Sequence, residues 1–236
     1  MTYTTFSFIR AVYRLFVICF YVAWFSHSQA QTQTQTQSQS SAQSVFHGFA
    51  VDISRLNLQQ QAFITPVLSD QLDIILNADL PPNMLAFMKT VPVVVDPGLP
   101  GVGNPALFSN AHARPQGVVK VSLSPIPAEK PVLLHEMLHA YDWSYWLFNN
   151  SNIGSAYAQA KNSSLYSQWQ NSHFMQNAKE FFAITGTVYL VGRIKQPPFD
   201  CRDLSVLQPE YVKFLAVLFG HHPYCDSAAS TPSDHR

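Results

Sequence analysis

Pro131-Val132-Leu133-Leu134-His135-Glu136-Met137-Leu138-His139-Ala140 is the stretch on which the reading of this chain turns. It contains the pattern H-E-x-x-H. On a helix, residues four apart leave the same face one turn apart, so His135 and His139 can share one metal ion. Glu136 then stands within reach of a water on that ion, the arrangement of a zinc hydrolase. Leu133, Leu134, Met137 and Leu138 supply an apolar face, and Pro131 suits a first helical turn. The bland alternative is a buried amphipathic helix with two hydrogen-bonded histidines. Pentapeptide and context together favour the metal, and with it hydrolysis, of a peptide bond first of all.

Working outward, residues 1 to 30 read as a secretory signal peptide. Arg10 and Arg14 make a positive start, Leu15 to Phe25 is an apolar run short for a bilayer, and Ser28-Gln29-Ala30 is a small-x-small cleavage pattern. Cleavage is expected after Ala30; an uncleaved signal anchor is the rival. Gln31 to Ser44 is a Gln/Thr/Ser tract whose only apolar residue is Ala42, and it reads as a disordered linker. The tail from 227 to 236 reads the same way. What remains, 45–226, is about 180 residues, enough for one domain with a real core.

Loss of Arg10 and Arg14 lowers the 14 basic residues to 12 against an unchanged 14 acidic ones. So weak a negative balance leaves no basic footprint and argues against nucleic acid or an anionic membrane surface as partner. The mature chain would keep only Cys201 and Cys225, which in an exported protein most simply form one disulfide. Closing that loop contributes roughly 3 kcal/mol and ties down the C-terminal helix.

Between linker and motif, Gln71 to Met88 suggests two short helices separated at Pro81-Pro82. Val91-Pro92-Val93-Val94-Val95 suggests a buried strand, with Pro92 marking an edge strand or a strand start. Gly98 to Gln116 reads as a long loop, and Val118 to Leu123 as a second strand. An edge strand beside the motif helix could pair with an extended substrate; an ordinary core strand is the other reading. Tyr141, Trp143, Tyr145 and Trp146 read as core. Gln208 to Phe219 reads as a helix behind the site that ends at Gly220, with His221-His222 a solvated pair after it.

Catalytic zinc usually has three protein ligands. A third ligand within the motif helix's continuation is excluded in its metzincin form, because Asp142 and Tyr145 stand where that pattern needs glycine and histidine. Asp142 reads as a group that orients a histidine from behind. Glu180, in Asn177-Ala178-Lys179-Glu180-Phe181-Phe182-Ala183, is a lone carboxylate in an apolar segment and is the best third ligand. A surface glutamate favoured by a helix start is the alternative. Glu210 and Asp200 are weaker candidates.

His135-Glu136-x-x-His139-Ala140-x-Asp142, followed about forty residues later by Asn177-x-x-Glu180-Phe181-Phe182-Ala183, resembles the anthrax lethal factor-like and Pro-Pro endopeptidase-like gluzincins. The resemblance spans roughly 118–190. It implies an α+β, mainly helical, zincin-like catalytic domain with a small sheet beside the H-E-x-x-H helix. It implies His135, His139 and Glu180 on Zn2+, with Glu136 as general base and Asn177 supporting from the second layer. Two positions depart from the family: Ile184 stands where a second glutamate is usual, and His173 where an oxyanion-stabilising tyrosine is usual. His173 could take over that role, since an imidazole can donate a hydrogen bond to an oxyanion; Tyr166 is the other candidate. The expectation is a secreted or periplasmic monomeric metallopeptidase acting on peptide or protein substrates, with no stable membrane insertion after signal cleavage. A secreted zincin-fold binding module without catalysis is the rival, motivated by Ile184 and His173.

Overall fold

The structure, a computed structural model, describes residues 43–100, 105–111 and 115–226. The expected signal peptide, the linker up to residue 42 and the tail from 227 lie outside the described residues. Strand β1 (Gln43–Phe46) and strand β2 (Phe49–Asp52) form an antiparallel hairpin. Its two connecting residues, His47 and Gly48, have φ of 51° and 86°, the positive values that a tight two-residue hairpin needs. Ordered chain therefore starts before Val45, where apolar composition begins. Backbone pairing needs no hydrophobic side chain, so composition misses that start.

From β2 the chain crosses through helices α1 (Leu58–Leu76) and α2 (Pro82–Thr90) to strand β3 (Val93–Asp96), which pairs parallel with β2. Helix α1 opens well before Gln71, at a reciprocal cap. The Asn57 side chain accepts from the Gln60 N–H, and the Gln60 side chain accepts from the Asn57 N–H. The break at Pro81-Pro82 falls where expected, with Pro82 opening α2.

Strand β3 also pairs parallel with β5 (Val118–Ser122), and β4 (Ala106–Ser109) adds antiparallel to the far side of β5. The five-stranded mixed sheet has the order β1-β2-β3-β5-β4. Of the two readings of Pro92, the strand start holds: β3 is an inner strand, and Pro92 lies just ahead of it, where a missing N–H costs the ladder nothing. One expectation changes: the stretch read as one loop holds β4, an edge strand. Its four residues carry no clear alternation, and pairing with β5 recruits them. Gly117 (φ +70°) lets the chain enter β5 under the Phe108 ring, with which any Cβ would collide.

The remaining helices are α3 (Val132–Trp146), α4 (Ser151–Asn162), α5 (Ala178–Val191), α6 (Cys201–Leu207), α7 (Pro209–Phe219) and α8 (Pro223–Asp226). The fold is mainly helical α+β, with α3 against β4 and β5. Helices α3 and α5 run through the core together, and both are buried nearly all round. They approach closely at Gly186, where a Cβ would stand 3.1 Å from Leu138 Cδ1. Helix α7 packs behind α5, with a 2.9 Å hydrogen bond between the hydroxyls of Tyr211 and Thr185, and it ends at Gly220. The Cys201–Cys225 disulfide joins the start of α6 to α8, as expected. Tyr141 is buried, whereas Tyr145 is exposed and stacks on its ring. His222 is buried against the Tyr189 ring rather than solvated, while His221 stays exposed.

Helix α3 has no side-chain cap of its own at Pro131. Gln71, buried on α1, supplies one from a distance. Its Oε1 accepts from the Leu133 N–H at 3.1 Å, and its Nε2 donates to the carbonyls of Lys130 (2.8 Å) and Pro127 (3.4 Å). One amide thus holds the start of the motif helix and the loop leading into it. Gln71→Leu leaves those buried groups unpaired and should cost about 1–3 kcal/mol in urea unfolding. An unchanged midpoint would show that the amide does not cap α3.

Candidate metal centre

The four-residue spacing on α3 places His135 and His139 one turn apart, with their Nε2 atoms 3.1 Å from each other and their rings nearly perpendicular. Glu180 reaches the same point from α5. Its Oε2 is 3.2 Å from His135 Nε2, and its Oε1 is 3.4 Å from His139 Nε2. One ligand atom from each of the three lies within 4.8 Å of the others. The alternative of a surface glutamate at a helix start is half right: Glu180 does sit in the first turn of α5, but its side chain is mostly buried. Asn177 fixes that turn, its Oδ1 accepting from the N–H groups of Lys179 and Glu180 at 3.0 Å.

The donor set fits a metal ion. Ligands about 2.0–2.2 Å from a tetrahedral zinc stand about 3.3–3.6 Å apart, close to the spacings among these three side chains. Two imidazoles and one carboxylate also match the ligand chemistry of catalytic zinc.

Glu136 is buried, and its Oε2 accepts a 2.6 Å hydrogen bond from the Phe108 N–H of β4. Burial raises its pKa; the charge of His135 and the Phe108 N–H oppose that without cancelling it. Glu180 goes the other way. Burial disfavours its charge too, but hydrogen bonds from His135, His139 and His173 outweigh burial and hold it far below the usual carboxylate range. The two carboxyls are thereby pushed apart, one toward proton acceptance and one toward permanent ionisation.

His173 lies on a short 3-10 turn (His173–Met175), half exposed, with Nε2 2.9 Å from Glu180 Oε2. Its hydrogen bond to Glu180 raises its pKa. Tyr166 is not at the site: it is fully buried, its ring against Phe174 and Trp169. Ile184 is likewise buried in the core. Asp142 is buried on α3, and its Oδ1 has no hydrogen-bond partner among the described residues. Burial pushes its pKa to about 7, against the pull of Lys179. Asp200 caps α6 and Glu210 pairs with Lys213, so neither joins the cluster. The Phe108 N–H and Gln71 were not foreseen. A backbone amide leaves no mark in a sequence, and a glutamine inside a helical pattern is unremarkable.

His135, Glu136 and His173 open onto a cleft of about 800 Å³. No family description matches the chain, and no curated protein matches it. Among solved structures the fold is similar to that of the Pro-Pro endopeptidase PPEP-2 from Paenibacillus alvei. The two share 16% identity over 73% of this chain and 98% of that one, with a TM-score of 0.44.

Because His173 has a raised folded pKa, its contribution to stability is complete below the unfolded value near 6.5 and disappears as pH rises through the folded value. In metal-free protein, wild type should exceed His173→Gln by at most about 1 kcal/mol at pH of about 5.5, given the exposure of the ring, and should match it at pH of about 9. Denaturant unfolding at the two pH values measures this. A gap that does not shrink with pH would contradict the His173–Glu180 contact.

Proposed function

We propose that the protein is an exported zinc metalloendopeptidase of the gluzincin kind. The convergence of His135, His139 and Glu180 beside Glu136, at the wall of a substrate-sized cleft, carries this reading. His135, His139 and Glu180 would hold the ion. When bound, zinc supplies Lewis acidity, which lowers the pKa of water and polarises a carbonyl.

Glu136 is the general base: it takes a proton from the attacking water and passes it to the leaving amine. Its raised pKa suits that exchange, and the Phe108 N–H fixes which way the carboxylate points. His173, whose ring lines the cleft, would serve as oxyanion donor once the metal takes over the Glu180 oxygen that its Nε2 now faces at 2.9 Å. Asn177 orders the turn that presents Glu180; Asp142, expected to orient a histidine, is buried one turn beyond His139 with no hydrogen bond to either ring among the described residues. The disulfide supports a secreted or periplasmic setting, and no helix among the described residues is long and apolar enough to cross a membrane.

The competing zincin-fold binding module is favoured by Ile184, a buried apolar side chain where the resembled families carry a second glutamate. One experiment separates the two. Glu136→Gln should retain stoichiometric zinc by elemental analysis while hydrolysis of a mixed peptide library falls by about 10²–10⁴-fold. Full activity in the variant would sink the proposed mechanism. Zinc in the wild type without any cleavage would favour the binding module.

A further inference from the structure

The cleft has a charged end that the catalytic reading does not use. Glu129 lies on the loop that precedes α3, and Lys195 lies on the loop that follows α5. The two side chains both line the cleft and form an ion pair across it. Both are well exposed, and Lys195 draws the Glu129 carboxyl below its usual range.

The backbones that carry them are anchored. Gln71 holds the carbonyls of Pro127 and Lys130 on either side of Glu129. On the other wall, the Ile194 N–H donates to the Phe199 carbonyl at 2.7 Å, and the Cys201 N–H donates to the Gly192 carbonyl at 3.0 Å. The pair therefore forms between two fixed points. An exposed ion pair of this kind adds little to stability, so an incoming charge can replace either partner at small cost. Lys130 lines the same end and has no carboxylate partner among the described residues. Two lysines against one glutamate leave this end positive.

We infer that this end selects charge, and that the substrate residue bound between the two loops is acidic; the inference rests on the peptidase reading of the adjoining centre. An aspartate or glutamate side chain arriving there takes Lys130 as partner, or takes Lys195 from Glu129. A basic side chain meets two lysines and must displace Lys195 to reach Glu129.

The test uses one peptide series in which each position in turn is Asp, Asn or Lys. Cleavage is measured with the zinc-loaded wild type, and binding by fluorescence anisotropy with the zinc-loaded Glu136→Gln variant. At one fixed position Asp should be preferred over Asn by roughly two- to fivefold, and the preference should shrink as salt is raised. Lys195→Glu should shift the preference at that position toward Lys, and Glu129→Gln should deepen the preference for Asp. The inference is overturned if no position discriminates by charge, or if Lys195→Glu and Lys130→Glu keep the wild-type profile. Charge-selective binding without cleavage would uphold charge selection and strike the peptidase reading alone. Neither binding nor cleavage would overturn both.

Discussion

The close crossing of α3 and α5 is the constraint on which the site depends. His135 and His139 leave one helix, Glu180 leaves the other, and their nitrogen and oxygen atoms meet within 3.4 Å where the helices pack, with Leu138 seated against Gly186. Both helices are apolar almost all round, so burial drives them together and conceals them. Three carboxyls and two imidazoles are thereby drawn toward a dry interior. Unpaired, such groups would be expensive to bury; here most of them face one another.

That environment makes chemically similar side chains unlike. Glu136, Glu180 and Asp142 all suffer desolvation. Glu180 escapes its consequence through three imidazoles. Glu136 is only partly relieved, by His135 and one backbone N–H. Asp142, with Lys179 as its opposing charge, stays near neutrality in its titration. The partners decide the role of each carboxyl, since the residue type is nearly the same.

Order at the site is supplied from outside it. Gln71 caps α3 from α1, Asn177 caps the turn that carries Glu180, and the β4 backbone holds Glu136. Gly117 matters for the last of these: any larger residue would drive into the Phe108 ring, beside the amide that grips Glu136. Each device is a hydrogen bond or a missing side chain, and none is a metal ligand.

Local spacing and residue chemistry were enough to determine several features. Two histidines four apart on a helix must share a face, and Gly220 suits a helix stop. Two cysteines left in an exported chain point to each other. The mainly helical α+β class came from the resemblance that the two motifs carry, not from local spacing. Tertiary structure alone decided the rest. β4 became an edge strand because β5 offered it a ladder, not because its own four residues demand a strand. Pro92 left Val91 to Val95 as either an edge strand or a strand start; the crossovers, which periodicity does not encode, settled it as the start of an inner strand. Gln71 found the start of α3 across 62 residues, and Glu129 found Lys195 across 66. Contacts over such distances arise from packing of whole elements, whereas a sequence pattern reports only what one turn or one strand presents to its neighbours.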